Sequence, residues 1–207
     1  SATFRKGKVN QIIGKSGSGK SVLAKCIVGL LPPTQGEVLY DGQSFQAMDK
    51  DRKKLLRQEI GMLFQSSALF DSLTVLENVL VQTDWSLTGA AAKRAEAMAM
   101  LSAVGLADRA QKPGGALTGF ERRLTDVARC LAGSPRLVMF DEPAGGLSVE
   151  ETRTLGDLIL RIHGLTGAQT LVIDHDVELI NRICAETLVL DFGRRIAFGP
   201  TADVLAD

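Results

Sequence analysis

The residues best suited to chemistry fall into four places along the chain. Gly14-Lys15-Ser16-Gly17-Ser18-Gly19-Lys20-Ser21 fits the pattern G-x-x-x-x-G-K-[ST]. Glycines at that spacing let the backbone curl so that successive N–H groups point at one anion. Lys20 would reach the β- and γ-phosphates of a nucleotide, and the Ser21 hydroxyl would ligate Mg²⁺. Asp141-Glu142 follows the apolar run Leu137-Val138-Met139-Phe140. There Asp141 would hold Mg²⁺ through water and Glu142 would polarise an attacking water; the blander reading is a helix-capping acid pair. His175 ends another apolar run, Thr170–Ile173, where it would lie beside the γ-phosphate. Gln65 ends Ile60–Phe64, and an amide there can bridge metal and water, although on its own it favours neither a catalytic nor a structural role.

The elements that must position these groups are legible around them. Val9-Asn10-Gln11-Ile12-Ile13 is a short β-type run, and Val22 to Leu30 has helical apolar spacing, so the glycine-rich segment sits between strand and helix. The positive end of that helix would add to the anion site. Pro32-Pro33 is expected to close the helix. Strand character returns at Glu37–Tyr40 and Ile60–Phe64, with a short amphipathic helix between them over Asp49–Glu59. From Leu73 to about Leu131 the pattern turns helical, with Thr74 and Glu77 as a cap. Helices over Glu150–His163 and Val177–Ile183 then alternate with strands at 170–173, 187–190 and 195–198, around the turn Asp191-Phe192-Gly193. The reading is one α/β domain: a core lobe of residues 1–65 and 131–207, interrupted by an all-helical subdomain over 66–130.

Composition narrows the class. Lys+Arg and Asp+Glu are both 24, so no basic surplus argues for nucleic acid. Apolar residues make up 45 % with only 5 % aromatic, the aliphatic balance of buried parallel strands. Cys26, Cys130 and Cys184 share no metal-ligand spacing and suit a reducing compartment. No apolar run approaches the roughly 18 residues of a membrane span, so a membrane connection is expected through a partner. The chain starts on Ser1 and enters a strand almost at once, which reads as a segment of a longer gene product.

Taken together, Gly14–Ser21, Gln65, Leu137–Glu142 and His175, in that order and with a helical insertion, resemble the nucleotide-binding domain of an ABC transporter. The resemblance covers nearly the whole chain. It implies a P-loop NTPase (RecA-like) core lacking the extreme N-terminal strand, with ATP and Mg²⁺ as cofactors. It also implies a head-to-tail homodimer, in which the signature of one copy completes the site of the other. Transmembrane permease subunits would be partners, holding the domain on the inner, cytoplasmic face of the membrane. By position the signature is Leu117-Thr118-Gly119-Phe120-Glu121, with Thr118 and Gly119 contacting nucleotide.

Departures from the family pattern support ATP binding better than fast hydrolysis. Phe120 replaces a glycine, and Glu121 replaces a neutral amide, so that a carboxylate would face phosphate unless Arg122 or Arg123 compensates. Ser148 stands where the family has an aspartate. The family's adenine-stacking aromatic lies before Ser1, since Phe4 is too close to the loop to replace it. Subfamily likeness is split. Residues 14–70 resemble ATPases of lipid transporters that maintain outer-membrane asymmetry (MCE-type), and the part from Leu117 onward resembles branched-chain amino acid importers. The expected role is an ATPase subunit for lipid transport. The alternatives are branched-chain amino acid import or a nucleotide-binding module with little hydrolysis.

Overall fold

The computed structural model describes residues 2–64, 68–83 and 88–206. Its centre is β1 (Val9–Gly14), hydrogen-bonded in parallel to β6 (Gln169–Ile173) on one side and to β7 (Glu186–Asp191) on the other. Beyond β6 lie β5 (Leu137–Asp141) and then β4 (Ile60–Leu63), both parallel. β8 (Arg194–Pro200) pairs antiparallel with β7 and closes the order β4-β5-β6-β1-β7-β8. β2 (Leu39–Tyr40) and β3 (Gln43–Ser44) form a separate small hairpin. The strand expected over Glu37–Tyr40 is thus reduced to two residues.

The pleat sorts the apolar runs into two cores, because successive side chains of a strand face opposite ways. Val138 and Phe140 of β5 join one cluster with α5 (Gly119–Leu131) and α6 (Val149–Thr166). Leu137 and Met139 join the other, with Ile12 and with Ala24 of α1 (Lys20–Ile27). Burial on both faces explains why these strands are continuously apolar. Cys130 and Cys184 are buried free thiols, held protonated because burial pushes their pKa up to about 12.

Several boundaries have local causes. α1 ends before the prolines, at Gly29, whose φ of 72° is left-handed. A Cβ there would meet the Phe45 ring at 2.3 Å, so glycine rather than Pro32 stops the helix. α2 (Lys50–Gln58) follows the small hairpin, with Asp49 as its cap. α3 (Val75–Thr83) opens with the expected exchange: Thr74 N–H donates to Glu77 Oε2 at 2.7 Å, and Glu77 N–H to Thr74 Oγ1 at 3.2 Å. α4 (Ala90–Ala103) packs with α3 and α5 into a helical layer inserted between β4 and β5. α5 is pressed onto the sheet at Gly61, where a Cβ would lie 2.2 Å from the Cys130 carbonyl oxygen. α7 (Val177–Ile183) and the short α8 (Thr201–Val204) complete the chain. No helix among the described residues is long and apolar enough to cross a membrane.

Candidate functional site

The fold brings Gly14–Ser21, Asp141, Glu142 and His175 to the C-terminal ends of the interior strands β1, β5 and β6. The segment Gly14–Ser21 leaves the C-terminal end of β1, turns through left-handed Gly17 (φ 76°) and Gly19 (φ 96°), and enters α1 at Lys20. These values require glycine, since a Cβ strains that region. Gly14 is constrained differently: a Cβ would meet the Leu190 carbonyl oxygen at 2.2 Å and Ser18 Oγ at 2.5 Å. Lys15 and Ser16 are exposed on the loop, and Ser21 is exposed in the first turn of α1. Lys20 Nζ folds back over the loop, donating to the carbonyls of Gly14 (2.7 Å) and Lys15 (3.0 Å). Ser18 Oγ is buried and lacks a hydrogen-bond partner. A curled loop with an orphan hydroxyl, an ammonium folded over it and a helix N-terminus fits a phosphate group.

β5 and β6 end beside this loop. Burial, then the neighbouring Glu142 charge, raises the Asp141 pKa above the ordinary carboxylate range; Lys20 and Lys25 oppose the shift, and Asp174 adds to it. Lys20 and Asp141 therefore lie within electrostatic reach of each other. Glu142 holds a left-handed backbone (φ 50°), unusual for a residue with a side chain. Its amide donates to the Ile173 carbonyl at 2.7 Å, and its own carbonyl accepts from Gly145 N–H at 3.2 Å. Strain of this kind, worth about 1–3 kcal/mol, survives only where the surroundings enforce it. His175 projects from the end of β6 with its side chain 78 % exposed. The groups here that could hold Mg²⁺ are hard oxygens, the Ser21 hydroxyl and the Asp141 carboxylate, which suit an ion that keeps phosphate oxygens and water in its shell. No group of three or more His, Cys, Asp or Glu suited to a metal occurs among the described residues. Gln65, expected at both metal and water, lies outside the described residues.

Thr118 and Gly119 lie on a separate element, away from the ends of β1, β5 and β6 in sequence and in secondary structure. They open α5, and Cys130 at its other end packs on β4, about 18 Å away at 1.5 Å per residue. Thr118 caps the helix. Its Oγ1 accepts from Glu121 N–H at 3.2 Å, and Glu121 Oε2 accepts from Thr118 N–H at 2.8 Å. An added Cβ at Gly119 would meet nothing within 4 Å, so this backbone is open to an approaching group.

Comparison with known proteins decides what this arrangement belongs to. The ABC transporter family profile matches residues 1–145. The chain belongs to the ABC transporter family, as an ATP-binding domain. It is 36 % identical over 200 residues to the methionine import ATP-binding protein MetN of Myxococcus xanthus, covering 97 % of this chain and 61 % of that one. It is also 36 % identical to the MetN of Mesorhizobium japonicum, covering 100 % of this chain and 57 % of that protein. The chain thus spans about three-fifths of the length of the curated relatives it matches. Among solved structures, cbiO1 of Clostridium perfringens, part of the cbiONQ complex, superposes with a TM-score of 0.92 at 24 % identity, covering 100 % of this chain and 82 % of that one. The dimeric cassette MJ0796 superposes at 0.84 with 26 % identity, covering 97 % of this chain and 88 % of that one. The α/β architecture expected from the sequence is that of these cassettes.

As an ABC domain, the chain departs from the sequence-based expectations over residues 117–121, where the resemblance places a signature. Glu121 does not stand free to repel phosphate, and neither Arg122 nor Arg123 compensates it. Its carboxylate turns back to the Thr118 amide, and Lys112 Nζ pairs with it at 2.7 Å. Arg122 instead pairs with Asp71 at 2.7 Å, and Arg123 donates to the Phe64 carbonyl at 3.4 Å. Phe120 packs against the larger core cluster. Ser148 is the cap of α6, accepting from Glu151 N–H at 3.3 Å, while its own amide donates to Glu151 Oε2 at 2.8 Å.

Two participants escape a sequence reading. Gly193, in the turn between β7 and β8, donates its amide to the Ser18 carbonyl at 2.9 Å and so braces the phosphate loop. The signal was the turn Asp191-Phe192-Gly193, read only as a connection. Asp174, 3 % exposed, is the other; its signal was an acid directly before His175, at the end of a buried strand.

Proposed function

We propose that the chain binds and hydrolyses ATP as the motor domain of a bacterial importer. The observation that carries this reading is the meeting of the Gly14–Ser21 loop with Asp141, Glu142 and His175 at the ends of the adjacent strands β1, β5 and β6. Lys20 moves from the Gly14 and Lys15 carbonyls onto the phosphates, exchanging two neutral acceptors for anionic ones. Ser21 and Asp141 would hold Mg²⁺, which would supply charge neutralisation at the phosphate oxygens. Glu142 takes the proton of the attacking water, and His175 donates to the γ-phosphate. Thr118 and Gly119 serve the loop of a second copy in a head-to-tail dimer. Gln65 contributes to the metal and water sites as its motif position implies. The dimer works on a membrane permease, which holds the domain at the inner face of the membrane.

Amino acid import is the better supported cargo class. The relatives named above are methionine import proteins, and lipid transport, the first reading of residues 14–70, finds no counterpart among them. The substrate assigned is therefore methionine or a closely similar amino acid. Mg-ATP should protect the wild-type chain against heat and leave Lys20→Ala unprotected. Equal behaviour of the two would remove the nucleotide site. Uptake of labelled methionine by vesicles carrying this subunit and its permease tests the cargo, and uptake of leucine but not methionine would reassign it.

A further inference from the structure

Asp174 makes a set of contacts that binding and hydrolysis, as described, leave unexplained. Its Oδ1 accepts from the His175 amide at 2.7 Å and from the Asp176 amide at 3.0 Å. Its Oδ2 accepts from the Ala144 amide at 3.2 Å. Ala144 lies in the turn that Gly145 N–H closes onto the Glu142 carbonyl. One buried carboxylate therefore grips the loop carrying Glu142 with one oxygen and the loop carrying His175 with the other. Its own carbonyl is anchored as well, accepting from Gln11 Nε2 at 3.3 Å. The Gln11 amide is fixed in turn, because its Oε1 accepts from Thr187 Oγ1 at 2.9 Å in the middle of the sheet.

Helix capping does not account for Asp174. That task falls to Asp176, whose Oδ1 accepts from Leu179 N–H at 2.9 Å at the start of α7. Nor would a neutral side chain serve equally. Three N–H groups converge on this one, and only an ionised carboxylate offers acceptors alone on both oxygens. An asparagine would present its NH₂ to at least one of those donors.

We propose that Asp174 is a positioning residue: it holds Glu142 and His175 in one mutual geometry, so that both address the same γ-phosphate. The proposal rests on the hydrolytic reading above. Misplacement by about 1 Å in such a site costs on the order of 100-fold in rate.

The test uses the full chain with Asp174→Ala, Asp174→Asn and Glu142→Gln. Asp174→Ala should lower kcat for ATP on the order of 100-fold, with KM changed by less than about threefold. Asp174→Asn, which keeps one accepting oxygen, should fall between it and the wild type. In parallel, amide hydrogen exchange with ATP bound should lose protection in Asp174→Asn at both residues 142–146 and 174–177. An unchanged kcat, or a kcat loss matched by an equal loss of affinity and thermal stability, overturns the proposal. If the wild type releases no more phosphate than Glu142→Gln, the hydrolytic reading has failed. Exchange then decides the clamp: joint loss of protection in both segments supports it, and unchanged protection overturns it.

Discussion

Lys112 Nζ lies 2.7 Å from Glu121 Oε2, so the acid in the signature segment is neutralised from behind, by a residue nine positions upstream. Together with the Thr118 amide, Lys112 holds the Glu121 pKa below its usual value, Lys112 making the larger contribution. A depressed carboxylate contributes stability above its unfolded pKa and loses it as pH falls through its folded pKa. Glu121→Ala should therefore lower the melting temperature at neutral pH, and the gap to the wild type should close in acid. Thermal melts between pH 3 and 7 check this; a gap that widens in acid would contradict it. Thr118→Ala, removing the cap hydroxyl, should cost about 1 kcal/mol.

Asp141 has the opposite sign. Its folded pKa is raised, first by burial and then by Glu142. Ionisation therefore costs the folded state, beginning as pH rises past the unfolded value and in full above the folded one. Asp141→Asn should stabilise the nucleotide-free chain at neutral pH, with an advantage that vanishes in acid. The same change should abolish the added stability of Mg-ATP, which for the wild type at 100 times Kd amounts to about 2.7 kcal/mol. Calorimetry with and without Mg-ATP measures both effects.

Gly14→Ala should fail through backbone contact rather than lost flexibility. The new Cβ would sit 2.2 Å from the Leu190 carbonyl oxygen, a main-chain atom of a central strand that cannot step aside. Overpacking of this kind costs about 1–3 kcal/mol. Gly17→Ala meets nothing within 4 Å but carries the strain of φ 76°, so its smaller cost is conformational. Chemical denaturation should rank Gly14→Ala as the more damaging of the two.

How much of this was legible beforehand depends on whether a feature is local. The strand, turn and helix around Gly14–Ser21 follow from periodicity and glycine placement, and the Thr74–Glu77 and Asp141–Glu142 positions follow from strand and helix ends. Leu137–Phe140 announced burial on both faces because nothing in it is polar. The pairing of Glu121 with Lys112 was not legible, since it depends on the segment 112–118 folding back over the start of α5. The end of α1 was misplaced for a related reason. Pro32 is a visible stop, but the Phe45 ring packing at Gly29 ends the helix first. Asp174 and Gly193 were hidden because their contacts with Ala144 and Ser18 reach another strand end, a relationship that spacing within one strand does not encode.

The central claim is that Glu142 activates water over a nucleotide held by Gly14–Ser21. Phosphate release at saturating Mg-ATP, measured on the wild type and on Glu142→Gln with ATP binding followed on the same samples, tests it directly. Removal of a general base should slow release about 10²- to 10⁴-fold, while ATP binds at least as tightly and holds two copies together. Equal turnover by the two proteins would contradict the account.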